Sequence, residues 1–177
     1  MVEMLIRFFL VVILITMAIQ DMKYRGITWY LFPLLAMLLW CSNSNFLFRS
    51  FMMNVSFLAV VYVLLSTWLS VKKHVVINIT EHHLGLGDIL FLLCLTFYFP
   101  PFSFFLFYGI SFLLVSIVYG AYYLSFKPED RTIPLAGMQG SILLCAFLIS
   151  WYLRIDLSDD TLIERCLEFV TVLNPTT

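Results

Sequence analysis

Two aspartates, Asp21 and Asp88, interrupt the apolar stretches of this chain at points where an acid is costly to place. Asp21 sits in Gln20-Asp21-Met22-Lys23-Tyr24-Arg25-Gly26-Ile27, and Asp88 closes Leu84-Gly85-Leu86-Gly87-Asp88. Two carboxyls brought close together cannot both ionise easily, so their titrations couple and one proton is shared. The ionised member of such a pair can activate water while the protonated one hydrogen-bonds a carbonyl. Gly85 and Gly87 would leave bare backbone beside Asp88, against which an extended peptide could lie. Two other readings stand beside this one. Both acids could be helix-end residues in contact with headgroup water, Asp88 complementing the positive end of its helix. They could also bind a cation or a proton in a small transporter or an assembly subunit that catalyses nothing.

The elements that must carry these acids follow from composition. Of 177 residues, 62% are apolar and 12% charged, with a mean hydropathy of +0.98. Soluble domains average about 45–50% apolar and about 25% charged residues. A globule of this size could not hide so much apolar surface from water, so the surrounding solvent is lipid. The expected fold is all-α, a polytopic membrane protein of about six transmembrane helices over residues 1–155. Residues 156–177 are expected to form an amphipathic tail, with Thr161-Leu-Ile-Glu164 as its capping box.

The spans are expected at Met4–Gln20, Ile27–Trp40, Phe51–Val71, two within the run Ile89–Leu124, and Ile133–Leu153. Pro100-Pro101 should divide the long run. That leaves about eleven residues after Asp88, or about 16 Å of helix against about 30 Å of hydrocarbon. Either the fourth helix begins before Asp88 or the bilayer thins there. Positive charge follows the first apolar stretch rather than preceding it, so this stretch reads as a retained span and not a signal peptide.

Threading six spans places Lys23, Arg25, Lys72, Lys73, Lys127 and Arg131 on one side, and Arg7, Arg49, Arg154 and Arg165 on or near the other. The bias puts both termini outside the cytoplasm and both acids at the cytoplasmic face. A formal net charge of −1 argues against a strongly basic face for nucleic acid.

The pairing of Asp21 and its following basic residues with the Gly85-Leu86-Gly87-Asp88 string resembles the prepilin peptidase family, including the archaeal preflagellin peptidases. The likeness extends over nearly the whole chain in span count, acid placement and spacing. It implies an aspartic endopeptidase in the cytoplasmic membrane of a prokaryote that removes short basic leaders from pilin-like precursors. Asp21 and Asp88 would be its catalytic pair. It implies no cofactor and no metal, precursor proteins and membrane lipid as partners, and no nucleic acid. The sequence departs from the family at Thr28, where proline usually follows the isoleucine, and at Leu90, where many members carry lysine. Pro134-Leu-Ala-Gly137 resembles the family's late proline-glycine segment only loosely. The paired cysteines and extra cytoplasmic region of the larger, methylating members are missing, so no methyltransferase activity is expected.

The remaining polar features have plainer readings. Lys23 and Arg25 are candidate substrate contacts but fit topology determinants on lipid phosphate better. His82 and His83 point in different directions on either a helix or a strand and fit a solvated loop. Cys41, Cys94, Cys145 and Cys166 are far apart and read as small apolar fillers. The aromatic residues around Pro100-Pro101 read as packing and interfacial anchors. The sequons at Asn54 and Asn78 read as accidental.

Overall fold

A computed structural model describes residues 2–43, 46–73, 85–126, 134–153 and 157–159. The expected tail over 156–177 lies largely outside the described residues, as do His82, His83, Leu84, Lys127, Arg131 and Cys166.

The described residues form an all-helical membrane protein. Its helices are α1 (Val2–Tyr24), α2 (Leu31–Ser42), α3 (Phe48–Lys73), α4 (Leu86–Leu95), α5 (Pro101–Phe126) and α6 (Leu135–Leu153). Four of them, α1, α3, α5 and α6, are long and apolar enough to cross a membrane. The other two are short: α2 has 12 residues and α4 has 10, about 18 Å and 15 Å at 1.5 Å per residue. The fourth helix does begin before Asp88, but only by two residues, so its shortness is retained.

The helices pack through narrow stripes and leave the rest of their apolar surface outward. On α1 the buried positions are Leu10, Ile13, Leu14, Met17, Ala18 and Asp21, a spacing of three and four that marks one face. On α4 they include Asp88, Phe91, Leu92 and Leu95, with the same spacing. Each acid is thus the last or first member of its helix's packing stripe. The most extensive contact is α1 against α6; α2 bridges α1 and α4, and α3 leans on α5. Lipid supplies no hydrophobic drive between helices, so close approach and shape decide the packing. Gly140 of α6 illustrates this, its missing side chain lying 3.8 Å from the Phe91 ring.

Pro101 is the first residue of α5, so the double proline divides the long apolar run where expected. A break of this kind strips backbone carbonyls of their helical donors, which inside a membrane must be replaced. Two asparagine side chains replace them. Asn43 Nδ2 donates to the carbonyls of Phe97 and Tyr98 at 3.1 Å each, and Asn54 Nδ2 donates to that of Phe99 at 2.8 Å. Asn54 is 1% exposed, which removes it as a glycosylation site. Asn54→Ala should orphan the Phe99 carbonyl and cost about 1–3 kcal/mol. Thermal unfolding in detergent, compared with the exposed change Ser116→Ala, measures this.

The aromatic residues of this region pack on one another: Phe97 on Phe51 at 4.6 Å between ring centroids, and Tyr98 edge-on to Phe147 at 5.1 Å. At the same end, Glu3 pairs with Arg7, whose guanidinium also lies 5.3 Å over the Trp151 ring.

Candidate active site

Asp21 is carried by α1 and Asp88 by α4, 67 residues apart in sequence, and both reach the first turn of α6. The opening amides of any helix lack intrahelical acceptors. Here the Ala136 N–H donates to Asp88 Oδ1 at 2.8 Å and the Gly137 N–H donates to Asp21 Oδ2 at 2.6 Å. Successive amides of one turn therefore hold the two carboxyls side by side, where the helix dipole also favours negative charge. Asp21 and Asp88 are 8% and 9% exposed, so most of each side chain is out of contact with solvent.

Asp88 is held twice. Its Oδ2 also accepts from the Gly85 N–H at 3.2 Å, the reach from the third residue of a helix back to the residue before its start.

The glycines of the Gly85-Leu86-Gly87-Asp88 string do not supply a special turn. Gly85 has φ −65°, and no described glycine has positive φ. A side chain at Gly85 would start 3.4 Å from Asp88 Oδ2, and the residue is exposed, so the bare backbone flanks the carboxyl on its open side. Gly87 faces inward, its missing Cβ 3.6 Å from Phe32 Cζ and 4.0 Å from Ile27 Cδ1. Those distances are ordinary contacts. Gly87→Ala should therefore retain stability, whereas Gly87→Val should press on Phe32 and lower it, a graded series read by melting temperature.

Thr28 has a local role. Its backbone N–H and its Oγ1 both donate to Gln20 Oε1, at 3.0 and 2.9 Å, which ties the segment after α1 to the residue beside Asp21. Proline has no N–H to give. Thr28→Pro should accordingly lower thermal stability by about 1 kcal/mol. Arg25 stands in this segment with φ 54°, a left-handed conformation uncommon outside glycine, and its charge acts on Asp21. Lys23 and Arg25 are both exposed at the acid-bearing end. Leu90 is 38% exposed, on the face of α4 turned away from the packing stripe.

The structure adds two groups that the sequence did not single out, the amides of Ala136 and Gly137. Gly137 is a glycine of necessity: a Cβ there would stand 2.8 Å from Asp21 Cβ, 3.0 Å from its Oδ2 and 3.2 Å from the Ala18 carbonyl oxygen. The available signal was Pro134 followed three residues later by glycine at the start of an apolar run.

Among the described residues no cluster of three or more His, Cys, Asp or Glu is arranged to hold a metal. Cys41, Cys94 and Cys145 are unpaired, and the Cys94 thiol donates to the Phe32 carbonyl at 3.2 Å. A cavity of about 190 Å³ lies at the far end of α4 from Asp88, bordered by Asn43, Thr96, Pro100 and Ser158. Neither acid lines it. Comparison with known protein families, with curated proteins and with solved structures finds no match.

Proposed function

We propose that this chain is an aspartic endopeptidase of the membrane that cleaves short basic leaders from pilin-like precursors. The observation that supports it most is the convergence of Asp21 and Asp88, from different helices, on adjacent amides of α6. Capping a helix needs only one neutral oxygen such as that of serine or asparagine. A carboxylate within a span costs about 2.5–3.5 kcal/mol on insertion scales, less near an interface, so two buried ones are an expensive way to cap. Paired acids do what neutral caps cannot, which is to exchange protons.

In the proposed reaction the ionised carboxyl takes a proton from water as its oxygen attacks the scissile carbonyl carbon. The protonated carboxyl gives its proton to the carbonyl oxygen. Collapse of the tetrahedral intermediate breaks the C–N bond: the departing nitrogen takes up the proton gained from water, while one hydroxyl of the intermediate returns a proton to the other carboxyl and re-forms the C=O. No covalent intermediate and no cofactor are needed. The exposed Gly85 backbone beside Asp88 gives an unwound substrate segment a place to lie, and Lys23 and Arg25 would face the headgroups at the cytoplasmic face.

The reading is tested with purified protein in bilayers and a precursor consisting of a basic leader and an apolar helix. Cleavage at the leader boundary is expected, and conversion of the leader's lysines to glutamates should suppress it. A precursor left intact, or cut equally well with the acidic leader, would count against the assignment.

A further inference from the structure

Beyond the acids, the least expected side chain in the bundle is Gln139. It is fully buried on α6, two residues after Gly137, and its Nε2 donates to Ser111 Oγ of α5 at 3.2 Å. Ser111 is also fully buried and gives its own proton to the Tyr108 carbonyl at 3.2 Å. The serine oxygen can therefore only accept from Gln139, which fixes the amide's orientation with its nitrogen toward α5. The other half of that amide, Oε1, meets no donor among the described residues.

A buried carbonyl oxygen left without a donor costs more than one interhelical hydrogen bond in a membrane returns. Methionine at this site would fill similar space without that cost. Stability alone does not account for a glutamine here. Its direction does suggest a use: three residues in the first turns of α6 face three different helices. Gly137 meets α1 through Asp21, Ala136 meets α4 through Asp88, and Gln139 meets α5 through Ser111. The first two contacts are the acid contacts themselves, so they cannot also set the rotation of α6 independently of the acids. The third can.

We infer that Gln139 is a positioning residue, whose hydrogen bond to Ser111 sets the rotation of α6 so that the Ala136 and Gly137 amides present the two carboxyls to one substrate. The inference rests on the proposed peptidase reading for its catalytic consequence, but its structural half can be tested without activity.

The experiment compares the parent with Gln139→Met, Ser111→Ala, Ser111→Thr and the double variant Gln139→Met/Ser111→Ala. Three quantities are read: melting temperature, hydrogen exchange at the Ala136 and Gly137 amides, and steady-state cleavage of the basic-leader precursor. Gln139→Met and Ser111→Ala should each melt within about 2 °C of the parent. Both should lose protection at the two amides, and their kcat should fall by about 100-fold with KM nearly unchanged. The double variant should be no worse than either single one, and Ser111→Thr, which keeps the hydroxyl, should keep the two amides protected even where its added methyl lowers the melting temperature. Unchanged protection at both amides in Gln139→Met would overturn the inference. So would a loss of activity that merely follows a loss of melting temperature, since that is a packing effect. A parent that cleaves no precursor would defeat the peptidase reading alone, and amide protection would still decide the role of Gln139.

Discussion

Gly137→Ala is expected to reduce precursor cleavage by about 100-fold or more, the loss that follows when catalytic groups shift by about 1 Å. The added methyl would meet two kinds of obstacle. One is the Asp21 side chain, at 2.8 and 3.0 Å; the other is the Ala18 carbonyl of α1, at 3.2 Å, which is backbone and cannot rotate away. Either Asp21 leaves the Gly137 amide or α6 moves off α1. Both separate the carboxyls from the turn that pairs them, and overpacking of this kind typically costs about 1–3 kcal/mol. Gly140→Ala serves as the control on the same helix, because its Cβ would sit at an ordinary 3.8 Å from the Phe91 ring. Initial rates for the two variants check the point: if Gly137→Ala cleaved as fast as Gly140→Ala, the close fit between α6 and Asp21 would have no catalytic meaning.

Asp21→Asn and Asp88→Asn should each abolish cleavage while leaving the bundle assembled. Asparagine caps a helix about as well as aspartate, so an oxygen can still accept from the amide of Gly137 or Ala136, the change at Asp88 giving up only its second bond, from the exposed Gly85 N–H. What is lost is the exchange of a proton. The two losses should not add, because residues that act as a unit fail as a unit. The doubly substituted protein should be no less active than either single variant and should melt near the parent. Substitutions that unfolded the protein would instead mark the acids as structural caps. One variant with near-parental cleavage would remove its acid from the reaction.

Much of the fold could be read from the sequence because lipid imposes a simple rule, long apolar runs ended by charge or proline. The Pro100-Pro101 break follows from it, and α1 runs only four residues beyond the expected Gln20, to Tyr24. The brevity of α4 was also legible from the spacing of Asp88 and Pro100, although not its start at Leu86. The acids themselves were legible through their types, since few residues are as expensive in an apolar stretch. What holds them was not. The Ala136 and Gly137 groups are backbone N–H, which every residue but proline possesses, and nothing in a residue's type announces that its amide will meet an acid 48 or 116 positions away. Asn43 and Asn54 escaped for a related reason: their work depends on carbonyls freed by a break elsewhere in the chain. The sequence also could not separate the two motif glycines: Gly87 stands at ordinary contact distance from Phe32 and Ile27, while exposed Gly85 flanks the carboxyl.

The claim that Asp21 and Asp88 form one hydrolytic unit is most directly tested by sequencing the new N-terminus of a basic-leader precursor after incubation with the purified protein in bilayers, beside its Asp21→Asn and Asp88→Asn variants. The account predicts a single new N-terminus at the leader boundary with the parent and none with either variant. An intact precursor with the parent, or the same new N-terminus with either variant, would contradict it.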